Sequence, residues 1–201
     1  MRSGVVIFPG SNCDRDMIVA LRKITGKTPI KIWHKEYDIP NLDLIVIPGG
    51  FTFGDYLRCG ALAARSPVIT SIKNHISRGG AVLGVCNGFQ ILIEAKILPG
   101  SLIRNKKLLF TCRETTLEVQ SCIENPFLSG FKIGECLKIP VAHNEGNYFA
   151  PKELLKQLKE EGRIAFKYFN LSDPITFLQY DSNVIDNKYS LSYLSLFDNN
   201  F

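Results

Sequence analysis

The chain has only three histidines (His34, His75 and His143) in 201 residues, and beyond Arg163 it has no histidine, glutamate, glycine or arginine. All 16 glycines fall before that point, although at the same density about 4 would be expected over 164–201. Long apolar runs are also absent. The longest, such as Leu44–Ile47 and Ala81–Val85, are strand-sized and far short of the roughly 20 residues of a membrane helix. No membrane association is expected. Met1-Arg2-Ser3-Gly4 leads straight into a strand-like run, so no signal peptide is read and a cytoplasmic location is expected. The six cysteines (Cys13, Cys59, Cys86, Cys112, Cys122 and Cys136) show no pairing at metal-binding spacing, and a chain of this length builds a core without staples, so free thiols are expected. The net charge of +5 is dispersed, with no basic stripe interleaved with aromatics, which argues against nucleic acid as a partner.

What is present is ordinary for a globular α/β chain, with 45% hydrophobic and 21% charged residues. Val5-Val6-Ile7-Phe8 is stopped by Pro9-Gly10, and Leu44–Ile47 is stopped by Pro48-Gly49-Gly50; both read as buried strands ending in turns. Further strands are expected at Ile30–His34 and Ala81–Val85. Met17, Leu21 and Ile24 share one face of a helix for which Ser11 or Asn12 is the expected cap, with Asp14 and Asp16 in its first turn. Another helix lies within Ala61–Ile76, where Pro67 marks a kink or a new start, and one more runs through Gln90 to Ala95. Continuous apolar strands alternating with helices predict a three-layer α/β fold: a mostly parallel sheet, flavodoxin-like in arrangement, with helices on both faces. Sites in such sheets lie beyond the carboxyl ends of the strands. That places attention on Phe8-Pro9-Gly10, Pro48–Phe51 and Val85-Cys86-Asn87.

Gly84-Val85-Cys86-Asn87-Gly88 carries the clearest chemistry. Glycines two before and two after the central residue, between a strand and a helix, form the nucleophile-elbow pattern with cysteine in place of serine. The sharp turn excludes side chains at its flanks and places the thiol at a helix N-terminus, where N–H groups and the dipole favour thiolate. The same five residues also suit a buried cysteine packed beside two glycines. In Pro48-Gly49-Gly50-Phe51, the amides near Gly50 and Phe51, with that of Asn87, are candidates for an oxyanion hole; a tight strand-to-loop turn uses Gly-Gly equally well.

Taken together, Phe8–Asp14, Gly49–Gly60, Gly84–Gln90 and Ile139–Tyr148 resemble the class I (triad) glutamine amidotransferases, and within them the glutaminase subunits of phosphoribosylformylglycinamidine synthases. The likeness runs from about Val5 to about Lys167. It implies that Cys86 attacks the side-chain amide of L-glutamine and forms a γ-glutamyl thioester. Ammonia leaves, and water then releases glutamate. Gly50, Phe51, Asn87 and Gln90 are the implied substrate-binding positions. No cofactor or metal is implied in this chain. The implied partners are a large synthetase subunit, which uses ATP and Mg to amidate formylglycinamide ribonucleotide, and a small accessory subunit.

The resemblance also implies a late His-Pro-Glu segment, whose histidine deprotonates the thiol and whose glutamate orients the histidine. No such segment occurs. The one literal His-x-Glu is His143-Asn144-Glu145, a substitute dyad by residue type, although that stretch matches a separate family segment. With the missing glycines, this leads to an expected amidotransferase domain over 1–167 and a divergent tail over 168–201, arising from a reading-frame shift shortly after Lys167. Two other functions fit parts of the sequence: a pseudo-subunit that keeps the fold and Cys86 without the chemistry, and a redox or protease-like cysteine site on the same layout. The long match around Gly49–Gly60 argues against the second.

Overall fold

The computed structural model describes residues 1–105, 108–121 and 127–169, together with the backbone of Phe177–Gln179. These residues form two compact units, one built on Met1–Leu98 and the other beginning at Pro99.

In the first unit the chain runs β1 (Ser3–Ile7), α1 (Asp14–Thr25), β2 (Ile30–Trp33), β3 (Leu44–Ile47), α2 (Val68–Ser77), β4 (Ala81–Gly84) and α3 (Asn87–Glu94). The four strands form one parallel sheet in the order β2-β1-β3-β4. Val5 stands opposite Lys31 on one side and Val46 on the other, and Ile47 stands opposite Gly84. Winding therefore moves from β1 to one edge and then returns to the other side through β3. Right-handed crossovers in opposite directions put α1 and α2 on opposite faces of the sheet, giving the layered α/β architecture the strand runs predicted. The change of direction falls between β1 and β3, where open α/β sheets form their ligand crevice. Val5, Val6, Ile45, Val46, Ile47 and Val82 are fully buried, each contributing about 1.5–3 kcal/mol relative to exposure.

Helix boundaries differ from the sequence reading in one instructive place. The residue preceding α1 is Cys13, with no side-chain cap. Asn12, an expected cap, instead accepts the Phe51 amide on its Oδ1 at 3.2 Å. Its capping capacity is used to tie the β1–α1 turn to the β3 loop. At the other end of α1, Gly26 at φ 69° donates to the Arg22 carbonyl, a left-handed stop that glycine adopts without strain. Pro67 starts α2 rather than kinking a longer helix; a separate helical turn, Ala63–Arg65, precedes it.

The second unit holds β5 (Ser101–Ile103), β6 (Thr111–Val119), β7 (Cys136–His143), β8 (Asn147–Phe149), α4 (Lys152–Glu160), β9 (Ile164–Tyr168) and β10 (Phe177–Gln179). Its main sheet is antiparallel, in the order β10-β9-β6-β7, with β5 and β8 forming a separate antiparallel pair. β9 carries the described chain through Tyr168, which is buried and faces Leu117 in register. The Phe169 amide then donates to the Thr116 carbonyl at 2.8 Å. The tail expected over 168–201 otherwise lies outside the described residues, apart from the backbone of β10. Among the described residues Cys13, Cys59, Cys86, Cys112 and Cys136 are free thiols, while Cys122 falls outside them. No helix among the described residues is long and apolar enough to cross a membrane.

Candidate active site

Strand β4 ends at Gly84, and two residues later Cys86 stands immediately before α3 at φ 51°, ψ −108°. For an L residue this conformation costs on the order of 1–3 kcal/mol and is kept only where the surroundings enforce it. The surroundings are visible. The Val85 amide is held by the Ile47 carbonyl at 3.0 Å, and the Cys86 carbonyl accepts the Phe89 and Gln90 amides at 3.0 and 3.1 Å. A Cβ placed on Gly84 would lie 2.6 Å from Leu92 Cδ1 and 3.0 Å from the Gly88 carbonyl oxygen. The glycine spacing read as an elbow is thus a packing requirement as well as a conformational one.

The sulfur environment adds burial to the expected helix-start effect. The Asn87 amide donates to the Cys86 sulfur and favours thiolate, as its position at a helix start predicts. Burial outweighs that donation. The Cys86 thiol is pushed up to about 11, first by desolvation, with Cys13 and Asp55 adding electrostatic opposition. Cys13 is near because Gly49 separates the two: a Cβ on Gly49 would lie 3.5 Å from Cys86 Cβ and 3.8 Å from Cys13 Sγ. In this state roughly one thiol in ten thousand is ionised at pH 7, and thiolate is the reactive form. Alkylation of Cys86 by iodoacetamide in the isolated chain should therefore rise about tenfold per pH unit from about pH 7 to about pH 10. It should level off only near 11. Peptide mass mapping of Cys86 checks this, and a plateau already reached at neutral pH would contradict the buried-thiol description.

The loop after β3 approaches the elbow from the opposite side. Gly50 has φ 133°, and a Cβ there would lie 2.5 Å from the Asn12 amide nitrogen, so no side chain fits. The Phe51 amide, an expected oxyanion donor, donates to the Gly10 carbonyl and to Asn12 Oδ1, both at 3.2 Å. Asn87 has no exposed surface, and its side chain is fully engaged. Its Oδ1 accepts the Thr52 amide at 3.1 Å and the Thr52 hydroxyl at 2.7 Å. Its Nδ2 donates to Asp55 Oδ1 at 3.1 Å and to Gln90 Oε1 at 2.8 Å. Gln90 is likewise buried. Gly50, Phe51, Cys86, Asn87 and Gln90 thus all belong to the first unit, around the ends of β3 and β4. Asn87 reaches the sulfur through its backbone amide, while its side chain and that of Gln90 bond within the protein.

The sequence reading assigned no role to Thr52 or Asp55. Their only signal is that they are polar residues inside the Gly49–Gly60 stretch.

His143 and Glu145 belong to the second unit. His143 ends β7, is buried, and shares its Nδ1 with Asn105 Oδ1 at 3.1 Å. Asn105 Nδ2 returns to the His143 carbonyl at 3.0 Å, and a Cβ on Gly146 would meet the imidazole at 2.2 Å. The other histidines serve packing. His34 Nδ1 lies 3.1 Å from Ser66 Oγ and the ring contacts Phe8, Trp33 and Phe53. His75 Nε2 lies 3.0 Å from the Ala81 carbonyl. Burial lowers the pKa of both. Among the described residues no cluster of histidine, cysteine, aspartate or glutamate has the makings of a metal site.

A strained cysteine thus stands between a parallel strand and a helix, faced by a glycine-rich strand end. Residues 1–191 match the CobB/CobQ-like glutamine amidotransferase domain, and the chain belongs to that family. Among curated relatives, a Brucella suis protein named phosphoribosylformylglycinamidine synthase subunit PurQ is 52% identical over 175 residues, covering 87% of this chain and 78% of the relative. A Rhizobium meliloti protein of the same name is 53% identical over 174 residues, with the same coverage. Among solved structures, one titled as PurLQS from Thermotoga maritima is 38% identical with a TM-score of 0.75, covering 84% of this chain and 74% of that one. A second Thermotoga maritima glutamine amidotransferase, 18% identical with a TM-score of 0.55 over 83% of this chain and 66% of its own, shares the fold.

Proposed function

We propose that this chain is the glutaminase component of a phosphoribosylformylglycinamidine synthase. It hydrolyses L-glutamine to glutamate and ammonia and supplies the ammonia to a large synthetase subunit, with a small accessory subunit in the same complex. The synthetase spends ATP, with Mg, on converting formylglycinamide ribonucleotide to formylglycinamidine ribonucleotide. The carrying observation is the sustained identity of about half of all positions, over 87% of the chain, to proteins named as that subunit. The elbow geometry at Cys86 supports the chemical half of the reading.

In this mechanism the Cys86 thiolate attacks the glutamine side-chain carbonyl. The Asn87 amide, already directed at the sulfur, supports the oxyanion of the tetrahedral intermediate. Collapse expels ammonia and leaves the γ-glutamyl thioester, which water hydrolyses. A thiol with its pKa pushed up to about 11 needs a base at neutral pH. A diazoketone analogue of glutamine should label Cys86 in the complex and be blocked by glutamine. Labelling that glutamine fails to slow, or that falls on another cysteine, would overturn the assignment.

A further inference from the structure

Four of the five residues from Phe53 to Leu57 occupy the left-handed region: Phe53 at φ 55°, Gly54 at 71°, Asp55 at 51° and Leu57 at 71°. Only one of the four is glycine. Each L residue there is disfavoured, so the segment holds this shape because something fastens it. Much of the fastening is Asn87. Its side chain grips Thr52, immediately before the left-handed run, through two hydrogen bonds, and Asp55, within the run, through a third. Further ties are the Phe53 amide on the Pro9 carbonyl at 2.7 Å and the two-pronged Arg58–Glu94 ion pair at 2.9 and 2.7 Å, which anchors the loop's far end on α3.

Asn87 is also the residue whose backbone amide serves the Cys86 sulfur. That amide lies in the peptide joining Asn87 to the strained Cys86, so the orientation of the Asn87 side chain and the plane of that peptide are set together. We propose that Asp55 is a positioning residue: through its hydrogen bond to the Asn87 side chain it holds the residue whose backbone amide attends the nucleophile. The proposal rests on the glutaminase reading for its kinetic test; the Asn87 hydrogen bonds to Asp55 and Thr52 carry it, and the minor opposition of the Asp55 charge to Cys86 ionisation gives a second readout.

Two substitutions separate these roles. Asp55→Gly deletes the acceptor while suiting a left-handed backbone; Asp55→Asn keeps an oxygen for the Asn87 amide group and removes the charge. In the complex with the synthetase, Asp55→Gly should lower kcat for glutamine hydrolysis at least about tenfold, the scale of one lost buried hydrogen bond, with KM within about threefold. Asp55→Asn should recover most of that loss. In the isolated chain both should shift the pH profile of Cys86 alkylation to lower pH, because the opposing charge is gone. Full kcat in Asp55→Gly, equal losses in both variants, or an unmoved alkylation profile in folded protein would each overturn the proposal. If the wild-type complex releases no glutamate, the glutaminase reading fails, and the alkylation profiles still decide whether Asp55 governs Cys86.

Discussion

Replacing Cys86 with alanine should abolish glutamine hydrolysis in the complex, lowering kcat by at least about 10⁴-fold, while the fold and the synthetase reaction driven by free ammonia survive. Removing the nucleophile of a covalent mechanism leaves only the residual effect of binding and oxyanion stabilisation, so losses on the order of 10⁴–10⁶ are the rule. Among the described residues no other cysteine stands at a strand-to-helix elbow. Cys13 is the sulfur across Gly49, but it precedes α1 rather than sitting in the elbow. Its own pKa is raised, first by burial and then by Asp16 and Asp14. Survival of the ammonia-driven reaction separates loss of chemistry from loss of assembly. If Cys86→Ala released glutamate within tenfold of wild type, the covalent mechanism would be wrong whatever the family resemblance. Loss of both reactions would point instead to a failed complex.

The site was legible in the sequence where local chemistry dictates structure, and obscure where distant contacts do. Leu44–Ile47 and Ala81–Gly84 announce themselves because a buried parallel strand must be apolar along its whole length. Pro48-Gly49-Gly50 then ends one run, and Gly84–Gly88 brackets the thiol. The antiparallel sheet of the second unit gave no comparable signal. β6 reads Thr-Cys-Arg-Glu-Thr-Thr over its first six of nine residues, and β7 carries Pro140 opposite Glu114, a residue that ordinarily argues against a strand. The left-handed shape of Phe53, Asp55 and Leu57 could not be read at all, since intrinsic preference opposes it and the fastening comes from Asn87, more than thirty residues away in sequence. The balance of effects on the Cys86 thiol was only half legible, for a related reason. The helix start that favours thiolate is local and visible, whereas the burial that outweighs it belongs to the folded surroundings.

Gly88→Ala should cost about 3 kcal/mol or more of stability, although a helical glycine exchanged for alanine ordinarily gains about 1 kcal/mol. The sign reverses because Gly88 faces backbone rather than solvent. A Cβ there would lie 2.0 Å from the Ile47 carbonyl oxygen and 2.7 Å from its carbon. That same carbonyl accepts the Val85 amide at 3.0 Å, so β3 cannot recede without loosening the turn that holds Cys86. Overpacking against side chains is partly absorbed by rotamer changes, but overpacking against a hydrogen-bonded strand is not. Gly130→Ala is the matched control. It has nothing within 4 Å of its added methyl and should change stability by no more than about 0.5 kcal/mol. Urea unfolding of the three proteins tests the contrast. Equal midpoints for Gly88→Ala and wild type would show that α3 can move away from β3 at little cost. The elbow would then be held by the Asn87 side-chain hydrogen bonds rather than by close packing of strand on helix.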